Sequence, residues 1–239
     1  MGQARRRKAE IEKLKTVSAT YASAAKGISL DAIHEAGHAG ARFLTAQNWG
    51  YEPHEAVAYI EMRRPDAAPT IIETATTQHR AVATTYGPRF PADMNAIAKN
   101  FDTDAELISG AREAGIDVEK WASIQAAISI GGPVAEMRAT GRTTIPPGCQ
   151  GDIAEAFQIG KAIGWSDEDT EAVLEVYRQR LDQQFSELAI WNGLLALAKA
   201  LPQEGRMEGR EAWEIYSRAV ESYRQSERAA SRPPPSKSS

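Results

Sequence analysis

The chain has 239 residues, 42% hydrophobic and 25% charged, which is enough to bury one large or two small cores. Its net charge of −4 gives no general reason to expect nucleic acid as a partner. The short, charge-interrupted apolar runs exclude a transmembrane helix, and a single cysteine, Cys149, excludes an internal disulfide framework. We expect a soluble cytoplasmic protein, because Arg5–Lys8 are not followed by the apolar stretch of a secretory signal.

The first segment, residues 1–28, is predicted to be a basic amphipathic helix. Its apolar residues recur at spacings of three or four: Ile11, Leu14, Val17 and Tyr21. Two interpretations stay open: a solvated helix lying against the body of the protein, or a helix that docks on a partner or an acidic surface. Gly27 breaks this helix, and Ser29 or Asp31 is expected to cap the next one.

The second predicted helix runs to about Ala46. Gly37 inside it costs about 1 kcal/mol relative to alanine, so we expect another part of the chain to approach the backbone there. Residues rich in β-branched and aromatic types then predict two strands, Val57–Met62 and Thr70–Thr77. Short helices are expected afterwards, at Asp93–Lys99 and Asp104–Ala114.

From Asp117 onward the apolar periodicity is helical. The sequence predicts a helix leading into the Gly-Gly-Pro at 131–133, a helix over 151–163, and a helix near Glu208–Tyr223. Between them, Ser166 is predicted to cap one long or kinked amphipathic helix that Pro202 ends. Residues 229–239 are expected to be a disordered Pro/Ser tail. Residues 29–228 then form one domain, mainly α with a small β-sheet or hairpin.

The most informative pattern is His-Glu-Ala-Gly-His at residues 34–38. Residues four apart share a helix face, so His34 and His38 can bind one small cation. Glu35 then lies beside the metal, where a carboxylate can take a proton from water. This combination is typical of a zinc hydrolase, and Zn2+ is the cofactor that the sequence predicts.

A catalytic zinc needs three protein ligands and one open position, so a third ligand must come from a distant segment. Residue type and spacing do not decide which one it is. The open candidates are His54, His79, Glu136, Cys149 and Asp152. For Asp152, which opens a predicted helix, an N-cap role is the alternative interpretation.

Five motifs in order resemble the peptidase domain of the FtsH-type ATP-dependent zinc metalloproteases, over residues 33 to about 215. They are His-Glu-Ala-Gly-His-Ala at 34–39, Glu-Pro-His-Glu-Ala-Val at 52–57, Gly-Gly-Pro-Val-Ala-Glu at 131–136, Gly-Cys-Gln-Gly-Asp-Ile at 148–153 and Gly-Trp-Ser at 164–166. The resemblance implies a zincin-like helical fold with Asp152 as the third zinc ligand. It also implies that Glu136 lies near the site and orients a ligating imidazole.

The sequence departs from the family at several points. Pro133 and Met137 replace the usual Arg and Glu, and residues 63–116 are longer and unlike the family. The sequence contains no Gly-x-x-x-x-Gly-Lys-Ser/Thr, so it lacks the P-loop of the family's ATPase module. The resemblance therefore implies peptidase chemistry without ATP-driven unfolding or membrane attachment.

The predicted function is a zinc-dependent metalloendopeptidase that cuts flexible or unfolded polypeptides, alone or beside a separate ATPase or unfoldase. Glu35 is the predicted general base, and the strand at Val57–Ile60 is expected to pair with an extended substrate. The oligomeric state, including a homo-oligomer, stays open. The alternative is a non-catalytic zincin-like module that binds proteins or regulates them; the intact Glu35 argues against it.

Overall fold

The computed structural model describes residues 19–62, 70–73, 78–81, 83–86 and 104–231. These residues form eight α-helices: α1 (Leu30–Asn48), α2 (Asp104–Glu113), α3 (Val118–Ser129), α4 (Gly131–Thr140), α5 (Gln150–Ile163), α6 (Asp167–Phe185), α7 (Leu188–Glu204) and α8 (Gly209–Ala230). The strands are β1 (Tyr59–Met62), β2 (Thr70–Glu73), β3 (Gln78–Ala81), β4 (Ala83–Tyr86) and β5 (Arg206–Glu208). Of the helix predicted over residues 1–28, residues 1–18 lie outside the described residues, residues 19–24 are helical, and a turn follows at 25–27. The helix predicted at Asp93–Lys99 and most of the predicted tail also lie outside the described residues.

Helix α1 lies at the centre of the fold and packs against α3, α4, α7 and β4. Most of its residues are buried, including Phe43, whose ring meets those of Trp213 and Tyr216 on α8 with centroids 5.2 and 5.4 Å apart. Ser29 occupies its N-cap position, but the Ser29 side chain makes no capping hydrogen bond. The helix that carries the His-Glu-Ala-Gly-His motif is therefore held by packing on several sides.

The backbones of α1 and α4 approach each other closely, as the position of Gly37 led us to expect. A Cβ atom at Gly37 would lie 2.5 Å from the carbonyl oxygen of Gly131 and 2.6 Å from the Cβ of Ala135. A Cβ at Gly131 would lie 2.6 Å from the Cβ of Ala41. Small residues at these four positions let the two helices touch.

The long helix predicted after Ser166 is two helices, α6 and α7. Ser166 caps α6 as predicted: its hydroxyl accepts from the Asp169 amide, and the Asp169 carboxylate accepts in return. Helix α6 ends at Phe185. The carbonyl of the next residue, Ser186, accepts a hydrogen bond of 2.6 Å from the Tyr21 hydroxyl. The Tyr21 hydroxyl takes the place of the backbone donor that a carbonyl at a helix end lacks. The periodicity of apolar residues gives no sign of this contact.

Two helix ends differ from the prediction. Pro202 does not end α7, which continues to Glu204; Gly205, with φ +74°, follows it. Pro202 removes one backbone donor from the last turn, and the helix ends within two residues of it. Helix α8 begins at Gly209 as expected but extends to Ala230, seven residues beyond the predicted Tyr223.

The strands form two small antiparallel sheets, one of order β4-β1-β5 and one that pairs β2 with β3. The first predicted strand is present but begins at Tyr59, two residues later than predicted, and the described part of the second is Thr70–Glu73. Strand β1 is central, because β4 pairs along one edge and β5 along the other. The prediction that residues 57–60 pair with a substrate is therefore wrong, since Tyr59 and Ile60 already have a neighbouring strand on each side.

The prediction of a mainly helical fold with a small β-sheet is confirmed. One large apolar cluster joins α1, α4, α6, α7 and α8, and a smaller one lies between α2, α3 and α5 around Trp121. Among the described helices, none has the length and apolar character needed to cross a bilayer.

Because α1 and α4 approach closely, we expect Gly37→Ala to lower stability, although alanine usually stabilises the interior of a helix. Alanine stabilises a helix interior by about 1 kcal/mol relative to glycine, but here its methyl group overlaps backbone atoms of α4. We expect a net loss of about 1–3 kcal/mol in the free energy of unfolding, measured with urea in the presence of a chelator.

The matched control is Gly151→Ala in α5, where a Cβ meets no atom within 4 Å. This variant should be unchanged or stabilised by up to about 1 kcal/mol. Equal stability of the two variants would show that α1 and α4 do not touch at Gly37.

Candidate metal centre

The two imidazoles of the motif meet on one face of α1. The Nε2 atoms of His34 and His38 lie 2.9 Å apart, and the ring centroids are 4.6 Å apart. Their side chains are 14% and 11% exposed, so little water reaches either ring. The spacing of four residues therefore brings both nitrogens to one point, as the sequence predicts.

The other ring nitrogens determine which tautomers are present. The Nδ1 atom of His38 lies 2.8 Å from the carbonyl oxygen of Ile128, an acceptor, so Nδ1 of His38 carries the proton. The Nδ1 atom of His34 lies 2.7 Å from Oε1 of Glu136 and donates to that carboxylate in the same way. In the neutral rings, both Nε2 atoms then present lone pairs toward each other.

Asp152 completes the cluster from α5. Its Oδ2 lies 3.2 Å from Nε2 of His34, and its Oδ1 lies 3.3 Å from Nε2 of His38. The N-cap position of α5 belongs to Cys149, and Asp152 lies in the first turn. The carboxylate of Asp152 thus faces the imidazoles instead of capping the helix.

With both rings neutral, three acceptor groups converge without a donor between them, and this arrangement fits a cation. Tetrahedral zinc with ligands at about 2.0–2.1 Å separates neighbouring ligand atoms by about 3.3 Å. The three distances in the cluster, 2.9, 3.2 and 3.3 Å, are close to this value. Two imidazole nitrogens and one carboxylate are also a ligand set that zinc accepts at catalytic sites.

Gly132 keeps open the space beside the two rings. A Cβ atom there would lie 2.6 Å from Nε2 of His34 and 2.6 Å from Nε2 of His38. Gly132 and Glu136 follow Gly131 and Ala135, the α4 residues that touch α1. The contact between α1 and α4 therefore places both Gly132 and the carboxylate of Glu136 against the imidazoles.

Glu35 is 7% exposed and lies close enough to both imidazoles for their charges to affect it. Its Oε2 accepts a hydrogen bond of 2.7 Å from the hydroxyl of Thr85 on β4. Burial raises the pKa of the Glu35 carboxyl above its ordinary value, while His38, His34 and the Thr85 hydroxyl act in the opposite direction. A carboxyl group with a raised pKa can both accept and return a proton near neutral pH.

The acidic neighbours of His34 act strongly on its protonation. Burial lowers the pKa of His34, but Asp152, Cys149 and Glu136 outweigh burial and raise it to about 12. Burial also acts to raise the pKa of Asp152, yet hydrogen bonds and charge from His34 and His38 hold it well below its usual range. A cationic charge at this point is therefore strongly favoured, whether a proton or a metal ion carries it.

Cys149 belongs to a second group, on the opposite side of the His34 ring. Its Sγ lies 3.8 Å from Nδ1 of His34 and 3.5 Å from Oε1 of Glu136. Burial raises the pKa of the thiol, although His34 lowers it. Because Nδ1 of His34 already donates to Glu136, Cys149 belongs to the surroundings of the imidazole and is not placed beside the Nε2 atoms.

The remaining candidates for the third ligand are His54 and His79. His54 lies in the 3-10 helix Pro53–Glu55, with its Nε2 3.3 Å from Arg210, and does not join either group. His79 lies on β3, opposite Ile72, and its side chain is outside the described part. Sequence reasoning missed Thr85 and the Ile128 carbonyl, because neither a lone threonine nor a backbone acceptor leaves a signal in a motif.

A scan of protein-family models and a search of curated proteins each returned no match to this sequence.

If Asp152 is the third ligand, its removal should lower the affinity for metal. Asp152→Ala should lower zinc affinity at least about tenfold, measured by competition with a chromophoric chelator. Asp167→Ala is the matched control, because Asp167 occupies the first turn of α6 as Asp152 does in α5. Unchanged affinity in Asp152→Ala would transfer the third-ligand role to another group, such as Cys149 or Glu136.

We expect Gly132→Ala to weaken zinc binding although it removes none of the candidate ligands. The methyl group would occupy the space within 2.6 Å of both Nε2 atoms. We expect zinc affinity to fall at least about tenfold. Gly148→Ala, where a Cβ meets no atom within 4 Å, is the control and should bind zinc like the parent. Normal zinc affinity in Gly132→Ala would contradict the proposed position of the ion.

Proposed function

We propose that this protein is a zinc-dependent metalloendopeptidase that hydrolyses peptide bonds in flexible or unfolded polypeptides. The observation that carries the proposal is the convergence of the two Nε2 atoms and the Asp152 carboxylate, with the carboxyl group of Glu35 buried beside them. The resemblance of five sequence motifs to the FtsH-type peptidase domain supports the same reaction.

In this proposal His34, His38 and Asp152 hold the ion. Zinc, when bound, would supply a Lewis acid that lowers the pKa of water toward about 7 and polarises a peptide carbonyl. Ile128 and Glu136 keep each imidazole in the tautomer whose Nε2 is free to bind. Once an ion displaces the proton that His34 carries without metal, the chain presents two neutral nitrogens and one carboxylate to it.

Glu35 is the proposed general base. Its Oε2 is engaged by Thr85, so Oε1 is the oxygen that would take a proton from water and return it to the leaving amine. The raised pKa of the buried carboxyl fits a group that must return the proton as well as accept it.

The position of Cys149 favours a catalytic centre over a structural one. Structural zinc sites are closed by four protein ligands, often thiolates, whereas catalytic sites use three. Cys149 is the single cysteine of the chain, and its sulfur approaches Nδ1 of His34, across the ring from Nε2. The proposed ligands are therefore the two imidazoles, through their Nε2 atoms, and one carboxylate.

Strand β4 is the proposed partner of an extended substrate. It forms one edge of the three-stranded sheet, and its Thr85 contacts Glu35. A polypeptide that adds to this edge would pass close to the general base and bind mainly through its backbone. Folded proteins cannot present such a strand, so we expect them to be cut only where a separate ATPase unfolds them.

A non-catalytic zincin-like module is the second candidate. One observation favours it: Glu35 is 7% exposed and its carboxylate is already bound by Thr85, so a base that must meet water is closely covered. In that case the centre would hold zinc to stabilise a protein-binding surface. Both candidates predict zinc binding, and they differ in the role of Glu35.

Glu35→Gln should separate the two candidates. The amide preserves size but cannot accept the proton, so we expect cleavage of unfolded casein to slow by at least about 100-fold. Zinc content, measured by atomic absorption, should stay equal to that of the parent. Glu119→Gln in the first turn of α3 is the control, because Glu119 is exposed, and it should cleave normally.

Full zinc occupancy without cleavage of any unfolded substrate would favour the non-catalytic module. A parent chain that binds no zinc under any condition would exclude both candidates.

A further inference from the structure

We propose that Thr85 is a positioning residue for Glu35: its hydroxyl holds Oε2 of the carboxylate and leaves Oε1 to handle the proton. This inference rests on the proposed function and adds a residue from β4 that no motif contains. It concerns a contact between a strand and a helix 50 residues apart in sequence.

The geometry is that of a strong hydrogen bond. The Thr85 Oγ1 to Glu35 Oε2 distance is 2.7 Å, the usual value for a hydroxyl that donates to a carboxylate. The same Oγ1 lies 3.0 Å from the carbonyl oxygen of Glu35, so both acceptors available to it belong to one residue. A hydroxyl has a single proton, and the shorter distance assigns it to the carboxylate.

The sheet fixes where the hydroxyl lies. Thr85 pairs with Ile60 in the register of β4 and β1, and Ile60 pairs with Met207 of β5. Ile60 and Met207 are both fully buried in the main apolar cluster. A slip of one residue would move Thr85 to the other face of the sheet, so burial of Ile60 maintains the contact with Glu35.

Position matters for this carboxylate because its two oxygens are chemically equivalent. Without the Thr85 hydroxyl, either oxygen of Glu35 could face the imidazoles, whose charges attract the carboxylate. The hydrogen bond from Thr85 to Oε2 determines which oxygen is left for the proton. Small errors in the placement of a catalytic group reduce rates by up to about 100-fold.

The first test uses metal-free protein and measures no activity. Thr85→Val, Glu35→Ala and the double variant form a cycle whose readout is the unfolding equilibrium constant in urea. A hydrogen bond predicts non-additivity of about 2- to 12-fold in that constant. Thr84→Val, combined with Glu35→Ala, makes the same change one residue earlier on β4 and should be additive. Additivity in the Thr85 cycle would overturn the proposal.

The second test uses zinc-loaded protein. Thr85→Val should lower kcat by about 10- to 100-fold while KM and zinc affinity stay within about twofold of the parent values. Thr85→Ser, which restores the hydroxyl, should recover most of kcat. A merely structural role would affect KM, zinc affinity or the Ser variant as well.

The outcomes distinguish this inference from the proposed function. Normal or increased kcat in Thr85→Val, in a chain whose Glu35→Gln variant is inactive, overturns the positioning role alone. A parent chain that binds zinc and cleaves nothing overturns both, even if the Thr85 cycle is non-additive.

Discussion

The close contact between α1 and α4 determines the geometry of the whole centre. At Gly37 and Gly131 no side chain separates the two backbones, and a single added carbon atom would overlap the opposite helix. The residues that follow on α4, Gly132 and Glu136, therefore stand directly at the His34 ring. A wider separation would move Glu136 away from Nδ1 of His34. Glycine is unfavourable inside a helix, and here close packing offsets that cost.

The second constraint is electrostatic. Asp152, Glu136 and Glu35 bring three carboxyl groups into a region with little exposure, and their only nearby cationic partners among the described residues are two imidazoles. Burying such groups is costly unless opposite charge compensates them. Without metal, protonation of His34 supplies that charge, which explains why its pKa rises. A divalent ion would supply more charge and would have to displace this proton, so ion binding and protonation compete for the same nitrogen atoms.

Local patterns predicted the parts of the structure that depend on neighbouring residues. The pairing of His34 with His38 follows from helical spacing, and the capping of α6 by Ser166 follows from its own sequence. The break between α6 and α7 did not follow from local pattern, and the contact made there comes from distant Tyr21. The candidate third ligand could not be chosen from spacing either: Asp152 reaches the imidazoles through the packing of α5, and a family resemblance was needed to favour it. Thr85 depends on sheet register, which pairs residues that no short motif connects.

The surroundings of His34 show how a residue could matter to the proposed metal centre without binding the metal. Glu136 accepts from Nδ1 of His34 through Oε1, and the Cys149 thiol donates to the same oxygen. In the neutral ring, the contact with Glu136 keeps the proton of His34 on Nδ1. Nε2 of that ring is then an acceptor that points to Asp152 and His38. Cys149 thus acts on the ligand set through two intervening groups, which gives a reason for its complete burial that requires no bond from sulfur to an ion.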